Sequence, residues 1–196
     1  MTRCAMVAIT VMALAGLAGC GTESPSPTGS QPAPGSQPPS SSPFAPRPVE
    51  LKLDTVDPCA LLTGAQESQL GVPVGTRYDN SDELGSSACQ WANHAKPDNR
   101  WLVRLIVKRG ADYALGSTTG VQVVQIGGFS AVQTAAPYQD PTTNCVLVVD
   151  VAQGQSLGVQ YGNAAGDYPG INHDVACQLD RKAAELMVQN LRALAH

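Results

Sequence analysis

Apolar and polar residues are distributed differently along the successive parts of this chain. The run from Cys4 to Ala15 is apolar except for Thr10, and a proline-rich stretch follows it. Beyond Val49 the pattern changes to short segments in which apolar and polar residues alternate, which is typical of β-strands with one buried face. The pattern therefore predicts a leader, a tether and a folded domain, in that order.

Several segments of the third part alternate clearly enough to predict strands. The clearest is 100–109, in which Trp101 and Val103 share one face. Further strands are predicted at 49–53, 86–92, 121–126, 129–134, 144–152 and 156–161. We expect the strands to form antiparallel hairpins, with Gly127-Gly128 as one of the tight turns between them.

Two regions carry the start and stop signals of helices. Near the beginning of the domain, Asp57 can cap a helix whose first position is a proline. Thr63 and Gln66 can form a capping box for a second short turn, and Gly71 is suited to end it. We expect one broken helix or two short ones over 58–70.

The strongest helical pattern lies at the end of the chain. Asn172 can cap this helix and Asp174 favours its first turn. Its apolar positions recur at helical spacing, at Val175, Leu179, Ala183, Leu186, Met187, Leu191 and Leu194. The predicted fold class is therefore α+β: an antiparallel sheet with a short N-terminal helical segment and a long C-terminal helix packed on it.

Composition limits the class of protein. The chain has 196 residues with 43% hydrophobic and 14% charged residues, and a formal net charge of −4. It is not basic enough to suggest a nucleic-acid partner. About 148 residues from Val49 onward suffice for a single domain with a sizeable core.

The leader ends in Leu17-Ala18-Gly19-Cys20, which resembles a bacterial lipobox. Its apolar run is too short to span a bilayer and suits a signal peptide, predicted as 1–19. Cys20 is then the lipidation site, carrying diacylglycerol on its thiol and a further acyl chain, such as palmitate, on its amino group. The alternative is an ordinary secretory signal in which Cys20 is coincidental.

The tether, 20–48, contains nine of the fifteen prolines together with many Ser, Gly and Gln residues. Such a segment cannot bury enough apolar surface to offset its ordering entropy. We expect a spacer that lifts the domain, 49–196, away from the membrane. The alternative, a proline-rich recognition motif, has no supporting pattern.

Four cysteines remain in the domain once Cys4 and Cys20 are set aside: Cys59, Cys89, Cys145 and Cys177. An even number in an exported chain predicts disulfides. Of the three possible connectivities we favour Cys59–Cys89 with Cys145–Cys177, because each bond would link a helix to a nearby strand. A zinc site is disfavoured, because its ligands usually occur in closely spaced pairs.

The ordered set of motifs resembles a family of actinobacterial lipoproteins of unknown function, which includes the LprB-like lipoproteins of mycobacteria. The matching segments are Asp57–Thr63, Cys89–Trp91, Gly127–Ala131, Cys145–Val148 and the helix near Cys177, together with the lipobox. The resemblance implies a cell-envelope lipoprotein without an established catalytic role, and it carries no active site to this chain.

Candidate catalytic and metal-binding groups are few. His94, His173 and His196 are the only histidines, and no motif pairs any of them with a nucleophile. An acidic cluster at Asp79–Glu83 lacks the spacing of an EF-hand and is expected to be a solvated loop. Trp91 and Trp101 are expected in the core. No catalytic residue, metal or cofactor is predicted.

These observations favour a non-catalytic lipoprotein at the extracytoplasmic face of the cell membrane. The acyl groups on Cys20 would bind the membrane, and the domain would bind an envelope protein or a small ligand. Two alternatives remain, a divergent cell-envelope enzyme and a carrier of a lipid or another apolar ligand. A polar cleft with a perturbed histidine would favour the enzyme, and a large apolar cavity would favour the carrier.

Overall fold

The computed structural model describes residues 42–79, 86–95, 98–116, 120–135, 142–163 and 169–195. It contains one seven-stranded antiparallel sheet and two α-helices, so the predicted α+β class is confirmed. The strands are β1 (Thr76–Asp79), β2 (Ser87–Asn93), β3 (Asn99–Ile106), β4 (Gln122–Ile126), β5 (Phe129–Thr134), β6 (Asn144–Ala152) and β7 (Gln155–Asn163). The helices are α1 (Gly64–Leu70) and α2 (His173–Leu194).

The strand order is β1-β2-β3-β7-β6-β5-β4, and every neighbouring pair is antiparallel. The strands form two meanders, β1–β3 and β4–β7. The meanders meet where β7 pairs with the whole length of β3. The chain passes from the end of β3 to the far edge of the sheet through a 3₁₀ helix, Ala111–Gly116.

Helix α2 packs across one face of the sheet, here called the front face. Asn172 caps it, accepting a hydrogen bond from the backbone N–H of Val175 at 2.9 Å. At its other end Arg192 donates to the carbonyl of Gly127 at 2.6 Å. The largest fully buried side chains include Trp91, Trp101, Tyr161, Phe129, Leu147 and Met187. The layer between helix and sheet is therefore a filled apolar core.

The opposite or back face carries a smaller cluster over β5 and β6. Ala111 and Ala114 of the 3₁₀ helix pack on Val132 and Val148, with Phe44 beside them. Phe44 lies within the last part of the proline-rich stretch, and the next residue, Ala45, donates its backbone N–H to Ser130 at 3.0 Å. Packing on the sheet therefore begins upstream of Val49.

The helical segment before β1 is broken in two, as predicted. Its first part is the 3₁₀ helix Pro58–Leu61, capped by Asp57. Its second part is α1, which begins with the capping box of Thr63 and Gln66. Gly71 ends α1 in the left-handed region with φ of 68°, where a side chain would add strain.

The prediction of an edge strand at 49–53 is wrong. Leu51 and Leu53 are buried and alternate with exposed residues, but the segment does not form a strand ladder. The Leu51 N–H bonds the carbonyl of Val151 at 2.9 Å, whereas the Leu53 N–H bonds the side chain of Gln155 at 2.8 Å. The alternation therefore reflects burial of two leucines on the sheet rather than strand pairing.

Candidate partner-binding cleft

The structure pairs the four domain cysteines as the sequence analysis favoured. Cys59 bonds Cys89 and Cys145 bonds Cys177, with Cα–Cα distances of 5.1 and 5.0 Å. The first disulfide joins the 3₁₀ helix Pro58–Leu61 to β2, and the second joins β6 to α2. Cys20, His196 and most of the Asp79–Glu83 cluster lie outside the described residues, so their predicted roles stay predictions.

A compact polar cluster surrounds the first disulfide. Glu67 of α1 is buried, with 8% of its surface exposed, and accepts two hydrogen bonds on one carboxylate oxygen. The donors are the indole N–H of Trp91 at 2.8 Å and the backbone N–H of Gly75 at 3.1 Å. Helix α1, strand β2 and the turn before β1 are therefore joined at a single side chain.

Gly75 fits this cluster because it has no side chain. A Cβ at this position would lie 2.6 Å from Nε1 of Trp91 and 2.7 Å from Sγ of Cys89. Such distances are too short for real contacts, so any larger residue would displace the turn. The backbone on either side of Gly75 is therefore held at a defined distance from the core.

The anchored turn and the strand that follows it, β1, present the two most exposed large apolar side chains of the described residues. Val74 is 78% exposed and Tyr78 is 51% exposed. Both line an open cleft of about 260 Å³ at the edge of the sheet. Its full lining is Pro73, Val74, Thr76, Arg77, Tyr78, Gln90, Ala92 and His94.

Charged groups frame the cleft. Arg77 forms an ion pair with Asp57 at 3.4 Å, so the side chain on β1 is tied to the cap of the preceding 3₁₀ helix. His94 lies 3.6 Å from Asp98 across the turn between β2 and β3. The cleft therefore combines an apolar patch with polar groups on a rigid support, an arrangement suited to side chains of another protein.

The region around the second disulfide is different. Nδ1 of His173 lies 2.9 Å from the carbonyl oxygen of Asn144, and its Nε2 lies 3.6 Å from Sγ of Cys177. Both ring nitrogens therefore face groups of the domain itself. The imidazole is engaged in holding the start of α2 to β6 rather than in contact with a nucleophile.

Asp180 lies one turn after Cys177 on α2, and its side chain is completely buried. Neither carboxylate oxygen has a hydrogen-bond partner. Burial raises the pKa of Asp180 well above its ordinary value, and the nearby backbone amide of Tyr161 only partly opposes this. A sequence signal for this burial was present and was missed: Asp180 precedes Ala183 and Met187 by three and seven positions, which places it on the apolar stripe of α2.

Two aromatic residues of the front face, Tyr161 and Trp101, also have polar atoms in the buried layer that contains Asp180. Tyr161 donates its hydroxyl to Oδ1 of Asn99 at 2.6 Å, and burial raises the pKa of Tyr161 to about 12. The ring of Trp101 meets that of Tyr161 edge to face at 5.1 Å between centroids. The indole nitrogen of Trp101 is buried without a hydrogen-bond partner.

A second open cleft, of about 400 Å³, lies at the start of α2. Its lining residues are Thr142, Asn172, His173 and Asp174. The side chain of Asn172 already accepts from the first turn of the helix, and His173 is held by Asn144. This cleft lacks the exposed apolar side chains that distinguish the cleft at β1.

Two further properties concern the described residues alone. Within them, no three His, Cys, Asp or Glu side chains come together in a way that could hold a metal ion. None of the helices in the same part of the chain is both long enough and apolar enough to cross a membrane.

Comparison with known protein families gives one match. The family described as a protein of unknown function, DUF3558, matches residues 15–190. The chain belongs to the DUF3558 family. The matched span includes Leu17–Cys20 and most of the folded domain. No curated protein and no solved structure matches it.

Most of the cleft of this DUF3558 protein was not found by sequence reasoning. Strand β1 is short and carries Arg77 and Asp79, so its alternation is weak. The available signal was indirect: Val74 is an apolar residue between Pro73 and Gly75, two residues that favour turns. Exposure of Val74 depends on the Glu67–Gly75 bond, which joins residues eight positions apart.

Proposed function

We propose that this DUF3558 protein is a lipid-anchored, non-catalytic lipoprotein of the LprB-like type, held at the outer face of the cell membrane. Its domain binds a protein partner through the cleft at β1. The observation that carries the binding role is the exposure of Val74, on the turn anchored by Glu67, and of Tyr78, on the adjoining strand β1. Exposed apolar side chains that flank one cleft are typical of interaction sites.

Anchoring is supported by the order of features at the beginning of the chain. An apolar run, small residues, Cys20 and a proline-rich tether follow one another as in bacterial lipoproteins. Two disulfides fit an oxidising compartment outside the cytoplasm.

The binding role is favoured over the two alternatives by specific contacts. The ring nitrogens of His173 face a backbone carbonyl and a disulfide, so this imidazole is poorly placed as a general base. Large side chains such as Tyr161 and Met187 fill the layer between α2 and the sheet, which leaves a carrier without support there.

Anchoring is tested by the variant Cys20→Ser. We expect it to leave the membrane fraction and to lose labelling by fatty acids, with the folded domain unchanged. A variant that keeps both membrane retention and acyl labelling would disprove the anchor.

The cleft is tested by placing a photoreactive amino acid at Tyr78 of the full chain in intact cells. We expect one defined cross-linked partner, whose yield falls at least several-fold when Val74→Asp is added. A probe at Leu194, which is 41% exposed on the last turn of α2, is the control. Equal yields of the same partner from both probes, or no dependence on Val74, would contradict the proposal.

A further inference from the structure

Strand β4 forms the edge of the sheet opposite to β1. In the described part of the chain it pairs only with β5, and its other side carries no strand. Gln122 and Gln125 are exposed, and Val123 is 42% exposed. An edge of this kind presents unpaired backbone groups to the surroundings.

Natural proteins usually protect sheet edges with charged side chains, proline or β-bulges, and β4 has none of these. The register between β4 and β5 is continuous, without a bulge. No charged residue occurs anywhere between Asp112 and Asp140. By contrast, the other edge strand includes Arg77 and Asp79. Of the two edges, β4 is therefore the one suited to accept another strand.

The hairpin turn determines which backbone groups of β4 point outward. Gly127 and Gly128 form a two-residue turn with φ of 55° and 86°, as in a type I′ turn. In such a hairpin the closing residues, Ile126 and Phe129, exchange hydrogen bonds, and the pattern then alternates along the strand. The N–H and C=O groups of Val123 and Gln125 are thereby directed away from β5.

We propose that two copies of this chain pair antiparallel through β4, about a two-fold axis that is perpendicular to the sheet and passes midway between the Val123 residues of the two copies. The side chain of Val123 then lies opposite the Val123 side chain of the second copy, and the outward backbone groups of each strand meet those of the other. The edge is uncharged, so no like charges oppose one another in this pairing.

The position of Phe44 favours a second copy over an unrelated strand. The described chain begins on the back face, where Phe44 packs beside Val132, on the strand next to β4. A two-fold axis perpendicular to the sheet keeps the back faces of both copies on the same side. Phe44 of both copies then lies on one side of the pair, as two copies anchored in one membrane require. This step rests on the proposed lipid anchor.

The pairing is tested by cross-linking the full-length protein in intact cells. A cysteine introduced by Val123→Cys would face its counterpart across the axis, within reach of a short bis-maleimide. We expect a product of twice the monomer mass. Gln189→Cys, on the exposed side of α2 and away from both sheet edges, is the control and should remain monomeric. Equal products from both variants, no dimer from Val123→Cys, or attachment only to a different protein would overturn the proposal.

A second measurement does not depend on cross-linking. Val123→Lys places like charges opposite each other at the axis, and we expect self-association of the detergent-solubilised full chain to weaken at least tenfold in sedimentation experiments. Gln189→Lys, at an exposed position of α2, should leave it unchanged. If the wild-type chain is monomeric throughout, the proposal is wrong. Membrane retention of Cys20→Ser reports only on the anchor, so failure of the anchor and failure of the pairing are distinguishable.

Discussion

Trp91 and Trp101 lie directly opposite each other on β2 and β3, yet their indole N–H groups have different surroundings. That of Trp91 donates to Glu67 at 2.8 Å, whereas that of Trp101 is buried without a partner. The region around each of these two tryptophans also contains a buried acid. Glu67 accepts two hydrogen bonds, and Asp180 accepts none.

The difference shows that the two helices are attached to the sheet by different forces. Around α1, a disulfide and a shared carboxylate hold a small element with little apolar area of its own. Around α2, a long apolar face and a second disulfide supply the attachment, and they outweigh the cost of unpaired polar groups beneath the helix. The region around α1, in which the buried polar groups are hydrogen-bonded, is also the one that presents the exposed cleft.

The largest expected effect comes from removing either disulfide. The bonds join residues 30 and 32 positions apart, so the chain-entropy model predicts a loss of roughly 3–4 kcal/mol in the free energy of unfolding for each. Urea unfolding of the paired Cys→Ala variants, Cys59 with Cys89 and Cys145 with Cys177, measures this. A loss below about 1 kcal/mol for either pair would contradict the entropic account.

A smaller effect is expected from Glu67→Ala. The variant leaves the indole N–H of Trp91 buried without an acceptor, which costs about 2 kcal/mol. Glu67→Gln is the control, because its amide oxygen can still accept from Trp91. Urea unfolding should therefore separate the two variants. If they are equally destabilised, the hydrogen bonds of Glu67 do not stabilise this region.

The variant Asp180→Asn is expected to change the pH dependence of stability. Because burial raises the pKa of Asp180 in the folded state, its contribution is complete below the unfolded pKa of about 3.9 and is lost as pH rises through the folded pKa. Asn resembles the protonated acid, so the variant should match the wild type near pH 4. At pH 8 it should be more stable by about 1 kcal/mol or more.

Thermal unfolding of Asp180→Asn across this pH range checks the prediction. The corresponding control is Asp174→Asn, on the exposed first turn of the same helix. A wild type that gains stability relative to Asp180→Asn between pH 4 and pH 8 would show that the buried acid is ionised and paired in solution.

The smallest effect concerns the indole nitrogens themselves. Trp91→Phe and Trp101→Phe remove similar apolar volume, but only the first breaks a hydrogen bond. We therefore expect Trp91→Phe to be the more destabilising of the two, by about 1 kcal/mol. Equal losses in urea unfolding would mean that Trp101 also has a partner in solution.

Several elements could be predicted because their signals are local. Asp57, Thr63 and Gln66 act as caps as their spacing indicated. Gly127-Gly128 forms the expected turn between β4 and β5, and the strand at 100–109 appears as β3, which ends at Ile106. Each signal needs only a few neighbouring residues, so it is readable without the fold.

Other features could not be predicted because they depend on distant residues. The alternation at 49–53 was read as a strand, but the Leu53 N–H meets a side chain 102 positions away. The 3₁₀ helix Ala111–Gly116 is held against Val132 and Val148, which the sequence does not bring near it. The exposure of Val74 likewise follows from which elements pack beside it.

The amino-acid sequence by itself determined the α+β class, the helix ends and the favoured disulfide pairing, and it also predicts the lipid anchor at Cys20. These depend on period, spacing and residue type. Only the tertiary structure decided that Trp91 and Trp101 differ, that Glu67 supports an exposed cleft and that β4 is an open edge. The physical reason is that burial and hydrogen-bond satisfaction are properties of contacts between distant segments, and a pattern along the chain does not specify them.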